Sequence, residues 1–181
     1  QKPEVRLGVI AEGERADRLR ENGCANNGRI YHPEVWSPDE AHDVDLMVVA
    51  LKYGSLEGAL ESIQKVTGEH TVIMSLMNGV DSEEIIGRTV GMEHVLPALI
   101  KVASHKEEDG YHFDPPTTLG IIFGEPSAPF DSERVKAVEK LFADTGIHFR
   151  STEYIQEEIW CKFCLNVCSN LPQAILGAGI G

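Results

Sequence analysis

The sequence has little positive charge and no long apolar run. Its 181 residues include 16 Lys and Arg against 29 Asp and Glu, for a formal net charge of −13. Because no basic cluster is present to neutralise phosphates, we expect no binding to nucleic acid or to an anionic membrane surface. The longest nearly apolar run, residues 44–51, is interrupted by Asp45. It is far shorter than the ~20 residues that span a bilayer.

Cysteine is scarce, and the first residues do not show the charged segment followed by an apolar segment that is typical of a secretory signal. Three of the four cysteines, Cys161, Cys164 and Cys168, are too close together on a helix for a disulfide framework. We therefore expect a reducing, cytoplasmic setting. A metal site would need a fourth ligand, so we interpret the three cysteines as small side chains packed against the rest of the fold.

The motifs of common hydrolytic sites are also missing. The seven histidines form no His-x-x-x-His or His-Glu-x-x-His pair, and there is no Gly-x-Ser-x-Gly turn. Neither a hydrolytic zinc site nor a serine nucleophile is indicated, and no metal site is predicted. Adjacent carboxylates such as Glu157 and Glu158 are expected to be solvated.

Apolar runs alternate with helix-period stretches over the first 151 residues. Strands are predicted at residues 5–10, 46–51, 71–76, 95–100, 119–123 and 147–149, and helices at 14–21, 55–66, 81–90 and 132–144. This alternation predicts an α/β domain over residues 1–151, with a mostly parallel sheet. A short edge strand is expected at residues 29–31 and a hairpin or loop at 104–118. Residues 37–40, Ser-Pro-Asp-Glu, have the form of a helix start.

The periodicity changes near residue 152. Ile155, Ile159 and Phe163 keep helical spacing until Pro172, which predicts a long helix that begins an all-helical second domain over residues 152–181. The glycines of residues 176–181 follow a helix rather than a strand. They therefore predict a helix end and not a dinucleotide fingerprint.

Three polar residues share one face of this predicted helix. Lys162, Asn166 and Asn170 are spaced four residues apart, so each is rotated only ~40° from the one before. An ammonium and two carboxamides can hold a carboxylate and polarise a carbonyl group. The alternative is a solvated stripe, which would usually carry several Glu or Lys.

A second polar motif, Asn78-Gly79-Val80, follows the predicted strand 71–76. It is expected at the carboxyl edge of a parallel sheet, where α/β folds bind ligands. Asn-Gly is also common in tight turns. Lys52 follows the preceding strand in the same way.

These motifs resemble the ketopantoate reductase (2-dehydropantoate 2-reductase) family. The resemblance rests on Asn78-Gly79-Val80, on Lys52 and on the Lys-x-x-x-Asn-x-x-x-Asn element after Trp160, and it extends to residues 13–16 and 123–126. It implies an NADP-dependent Rossmann domain followed by a helical domain. A 2-oxo acid, 2-dehydropantoate, would be reduced to the 2-hydroxy acid pantoate in the cleft between them. Such helical domains often form homodimers.

The resemblance also implies roles for the polar residues. Lys162 would be the general acid that protonates the carbonyl oxygen, Asn166 and Asn170 would bind substrate, and Asn78 would lie between nicotinamide and substrate. Hydride attack builds negative charge on that oxygen. A partly desolvated ammonium with a lowered pKa would stabilise the charge and release its proton readily.

Glu12 departs from the family pattern. It follows the first predicted strand, where many members carry an Arg for the 2′-phosphate, and an acidic residue there binds the ribose 2′-hydroxyl. This favours NAD, and an NAD-dependent D-2-hydroxyacid dehydrogenase of the same fold is the alternative activity. Arg15 and Lys52 would remain as phosphate contacts.

The 181 residues contain neither the Gly-rich turn that cradles the pyrophosphate nor counterparts of the family's later Ser and Glu. We therefore expect the chain to lack the first β–α unit and most of the helical domain. A non-catalytic nucleotide-binding or regulatory module is the alternative from another functional class.

Overall fold

The computed structural model describes residues 2–177. The strands are β1 (Gly8–Ile10), β2 (Cys24–Asn26), β3 (Arg29–Tyr31), β4 (Glu34–Trp36), β5 (Leu46–Val49), β6 (Val72–Ser75), β7 (Ala98–Lys101), β8 (Ser104–Glu107), β9 (Gly110–Phe113), β10 (Gly120–Phe123) and β11 (Phe149–Ser151). The helices are α1 (Gly13–Asn22), α2 (Leu56–Val66), α3 (Ser82–Val90), α4 (Glu133–Phe142), α5 (Ile155–Leu165) and α6 (Leu171–Leu176). A π-helical turn, Asn166–Asn170, joins α5 to α6.

Several strand pairs are parallel, as expected of a Rossmann-type fold. β1 pairs with β4, β5 with β6 and β10 with β11 in parallel, and a parallel bridge between Ile73 and Val95 joins β6 to the segment before β7. β7 and β10 are antiparallel. A four-stranded sheet in the order β3-β2-β9-β8 contains the predicted edge strand and the predicted hairpin. The predicted α/β fold is confirmed.

Three apolar clusters hold the helices on the strands. The first packs α2 and α3 on β5 and β6, and the second packs α4 on β6, β7 and β10. The third joins Leu99 of β7 and Ile122 of β10 to Ile155 and Ile159 of α5. Burying a large aliphatic side chain contributes about 1.5–3 kcal/mol, so α5 is firmly attached to the sheet.

The predicted helix start at residues 37–40 is wrong. The Ser37 amide does donate to Glu40 Oε2 at 2.8 Å, and the Glu40 and Ala41 amides donate to the Ser37 carbonyl oxygen. The capping contact therefore forms, but only a single turn follows it. Asp43 then takes a positive φ of 50°, which redirects the chain into β5.

The end of α5 also differs from the prediction. Pro172 does not end the helical segment, because it lies in the first turn of α6, after the π-helical turn. The first turn of a helix tolerates proline, since its amide needs no partner there. α6 ends at Leu176, and Gly177 takes a left-handed φ of 62°, as predicted for a helix end. Residues 178–181 lie outside the described residues.

The predicted packing of the cysteines is wrong. Cys161, Cys164 and Cys168 are all exposed. α5 turns Ile155 and Ile159 towards the sheet, and helical geometry then directs the cysteines to the opposite side.

None of the helices within residues 2–177 combines the length and the apolar character needed to cross a membrane. The cytoplasmic location, the homodimer and the division into domains at residues 1–151 and 152–181 stay predictions.

Candidate active site

The loops after β5 and β6 lie at the same edge of this parallel pair. Val49 and Ser75 are register partners at the carboxyl ends of the two strands. Lys52 follows Val49 by three residues, and Asn78 follows Ser75 by three residues. Both side chains are exposed, so the structure brings a cation and a carboxamide to one edge of the sheet, as predicted from the motifs.

The turn at residues 78–80 is held by contacts on two sides. Gly79 has a φ of 122°, a conformation that favours glycine, and Val80 packs against the apolar cluster of α5. The Tyr53 hydroxyl donates a hydrogen bond of 2.7 Å to Asp81 Oδ2, which ties the loop after β5 to the loop after β6. The turn that carries Asn78 is therefore held between the β5 loop and α5.

β7 brings a lysine to this edge that the sequence analysis did not assign. The bridge between Ile73 and Val95 is parallel, so β7 runs in the same direction as β6. Lys101, the last residue of β7, lies six residues after Val95, whereas Asn78 lies five residues after Ile73. Both residues are therefore at the carboxyl edge.

α5 packs along β7 and extends towards the carboxyl edge of β6 and β7. Ile155 and Ile159 are buried on the strands, and Glu158 accepts a hydrogen bond of 2.6 Å from Lys101 Nζ at the end of β7. Lys162 follows Ile159 by three residues and Ile155 by seven, so it shares their face of the helix. The helix thus positions Lys162 one turn beyond the contact with Lys101.

Lys162 is half-buried, and no carboxylate among the described residues pairs with its ammonium. Burial and, to a smaller extent, the positive charge of Lys101 lower the pKa of Lys162. An ammonium that is desolvated and lacks a counter-ion is a better proton donor than an exposed lysine, and it attracts anions.

Glu158 connects two cations under α5. Besides Lys101, Arg150 of β11 donates to the same carboxylate, and these two partners lower the pKa of Glu158. The Glu158 side chain is only 24% exposed, so the prediction that it is solvated is wrong. It faces β7 and β11, whereas Glu157 is exposed. The carboxylate fixes Lys101 beside Lys162.

The two asparagines of the predicted stripe are in contact with each other. Asn166 is half-buried and Asn170 is exposed, and Asn170 Nδ2 donates to Asn166 Oδ1 at 2.9 Å. The bond uses the oxygen of Asn166 and leaves its N–H groups for another acceptor, such as a substrate carboxylate.

Glu12 and Arg15 lie together at the start of α1, and both are exposed. β1, which precedes them, is hydrogen-bonded to β4 and, within residues 2–177, not to β5 or β6. The structure therefore brings Lys52, Asn78 and the Lys162 face to one edge. Among the described residues, no strand pairing places Glu12 and Arg15 at that edge.

Sequence reasoning missed Lys101, Arg150 and the role of Glu158. One signal was available for Lys101, because it directly follows the predicted strand 95–100, next to the edge on which Asn78 was placed. The partners of Glu158 could not be read from spacing, since Lys101 is 57 residues away in the chain.

Comparison with known proteins shows to which family the chain belongs. A model of the ketopantoate reductase PanE/ApbA family matches residues 2–120. The uncharacterised oxidoreductase YkpB of Bacillus subtilis is 25% identical over 158 residues, which cover 85% of this chain and 52% of YkpB. The chain spans about half the length of the curated relatives it matches.

Solved structures share the fold. The 2-dehydropantoate 2-reductase of Geobacter metallireducens superposes with a TM-score of 0.77 at 24% identity, over 93% of this chain and 57% of that one. D-mandelate dehydrogenase, solved with NADH and anilino(oxo)acetate, superposes with a TM-score of 0.75 at 20% identity, over 96% of this chain and 58% of that one. Because the family model matches well over half of its residues, the chain belongs to the ketopantoate reductase PanE/ApbA family.

Proposed function

We propose that the protein reduces a 2-oxo acid, 2-dehydropantoate, to its 2-hydroxy acid, with a nicotinamide dinucleotide as hydride donor and Lys162 as general acid. The observation that carries the proposal is the half-buried ammonium of Lys162, beyond the carboxyl ends of β6 and β7, which pairs with no carboxylate of residues 2–177. Such a group attracts a carboxylate-bearing substrate and stabilises negative charge that develops on its carbonyl oxygen. Family membership supports this class of reaction.

The residues at the strand ends fit a nicotinamide dinucleotide. Lys52 and Arg15 are exposed cations suited to its phosphates, and Glu12 is an acceptor suited to a ribose hydroxyl. Gly13 begins α1 with a φ of 54° and open space where a Cβ would lie, so the backbone at this helix start is accessible to a phosphate. A reduced nicotinamide, when bound, supplies the hydride.

Side chains of the protein bind the substrate and supply the proton. The amide N–H groups of Asn166 and Asn170 hold the substrate's oxygens, and Asn78 orients it from the β6 loop. Lys162 donates its proton to the carbonyl oxygen as the carbon accepts the hydride, so the C=O group becomes CH–OH and the lysine becomes neutral. A proton from solvent then restores the ammonium.

The second candidate is an NAD-dependent D-2-hydroxyacid dehydrogenase. Glu12 favours it, because a carboxylate after the first strand binds a 2′-hydroxyl and repels a 2′-phosphate. The fold shared with a D-mandelate dehydrogenase that binds NADH also supports it. A non-catalytic nucleotide-binding or regulatory module is the candidate of another class.

Steady-state kinetics of the full-length protein distinguish these candidates. We expect kcat/KM for 2-dehydropantoate to exceed that for a bulkier aromatic 2-oxo acid by at least about tenfold, each measured with NADPH and with NADH. The reverse order, with NADH preferred, would support the dehydrogenase. Cofactor binding without turnover of either acid would support the non-catalytic module.

The charges around Lys162 give an expected pH dependence. A general acid must be protonated, so the rate falls as the pH rises through the pKa of Lys162. Lys101→Met removes a like charge that lowers this pKa, so the basic limb of kcat/KM should move to higher pH. Burial, the larger cause, remains, so the shift should be partial.

The matched variant for this experiment is Glu158→Gln. It leaves Lys101 and Arg150 without their shared counter-charge, so the basic limb should move to lower pH. Basic limbs that coincide in wild type and in both variants would show that Lys162 is not the group that titrates.

A further inference from the structure

One face of the β8–β9 hairpin gathers four side chains that can bind a metal ion. His105 and His112 are register partners on the two strands, and their rings stack with centroids 5.8 Å apart. Glu107 follows His105 by two residues and so lies on the same face, and Asp109 lies in the turn. The hairpin cluster is defined by these residues: His105, Glu107, Asp109 and His112.

The ligand atoms of Glu107, Asp109 and His112 converge, and His105 is joined to this group through Glu107. His105 Nε2 lies 2.9 Å from Glu107 Oε1, and His112 Nε2 lies 2.7 Å from Asp109 Oδ1. Ligand atoms of Glu107, Asp109 and His112 all lie within 4.8 Å of one another. Ligand atoms around a tetrahedral zinc ion are roughly 3.5 Å apart, given bonds of about 2.0–2.2 Å. Three of the four side chains are exposed and His112 is half-buried, so binding at that separation requires the exposed side chains to change rotamer.

We propose that the hairpin cluster binds a first-row divalent transition metal ion, Zn²⁺ in particular. Two imidazoles and two carboxylates form the mixed nitrogen and oxygen donor set that such ions prefer. With neutral imidazoles the cluster carries two negative charges, which favours a dication. The hairpin's one lysine, Lys106, is the register partner of Tyr111 and lies on the opposite face.

The spacing of the four residues explains why the sequence alone did not predict a metal site in this hairpin. His-x-Glu-x-Asp-x-x-His is not a helical metal motif. The two histidines meet only because the chain reverses at residues 108–109 and pairs His105 with His112. The hairpin cluster shares no residue with the proposed reductase site, so zinc binding can be tested independently of the reductase activity.

Calorimetric titration of the purified chain with ZnCl₂ at neutral pH, after chelator treatment, tests the proposal. The cysteines are exposed, and because thiolates are zinc ligands they are first alkylated. We expect one Zn²⁺ per chain, and at least about tenfold weaker binding for His112→Ala, because even loss of an outer partner of a metal ligand costs 10–100-fold.

Two further variants complete the design. Asp109→Asn keeps the size of the side chain but removes its charge, and it should also weaken binding. His70→Ala removes an exposed histidine away from the hairpin and should leave binding unchanged, with circular dichroism confirming that each variant is folded. Absence of a binding isotherm, or equal affinity of wild type, His112→Ala and Asp109→Asn, would mean that these residues form only His–carboxylate ion pairs.

Discussion

Replacing Lys162 with alanine in the full-length protein is expected to lower kcat for 2-oxo acid reduction by about 100-fold or more, the scale of general acid catalysis. Cofactor affinity should change little, because Lys52, Arg15 and Glu12 are the residues we assign to the cofactor. The effect should be on kcat because negative charge on the carbonyl oxygen develops only as the hydride arrives, and in the proposed mechanism the Lys162 ammonium stabilises that charge.

Two variants separate proton donation from simple attraction of an anion. Lys162→Arg keeps a cation, but a guanidinium does not release its proton at neutral pH, so it should restore KM more than kcat. Lys140→Ala removes an exposed lysine near the end of α4 and should behave as wild type. A Lys162→Ala protein with kcat within a fewfold of wild type would show that another group donates the proton.

The position of Lys162 was predictable because it depends on periodicity. Ile155, Ile159 and Asn166 place Lys162 on one helix face, and burial of the two isoleucines fixes which face meets the sheet. The strand that precedes Asn78 is likewise an apolar run that was recognisable by itself. Local patterns of this kind predict the order of elements and the face of a helix.

Other features depend on strand register, which the sequence does not reveal. Glu158 acquires Lys101 and Arg150 only when α5 crosses β7 and β11, and adjacent glutamates on a helix are otherwise solvated. The Ser37 turn shows the opposite failure, in which a local capping signal is satisfied but no helix follows. In that case the chain continues into β5, and the pairing of β5 within the sheet outweighs the local preference for a helix.

Replacing Ile159 with alanine is expected to lower both stability and turnover. Ile159 is 7% exposed and belongs to the apolar cluster that holds α5 on β7 and β10. Truncation of a buried isoleucine costs about 3 kcal/mol, which chemical denaturation followed by circular dichroism measures. Lys162 lies one turn further along α5. Because a small displacement of a catalytic group is costly, kcat should fall by about tenfold.

Ile63→Ala is the matched control for this second effect. Ile63 is 6% exposed and lies near the end of α2, which runs away from the carboxyl edge after leaving β5. We expect a similar loss in the free energy of unfolding but an unchanged kcat, measured at a temperature at which both variants are folded. Equal losses of kcat in the two variants would indicate that turnover follows global stability. A loss of kcat confined to Ile159→Ala would show that the docking of α5 positions Lys162, since the two substitutions remove the same atoms from equally buried sites.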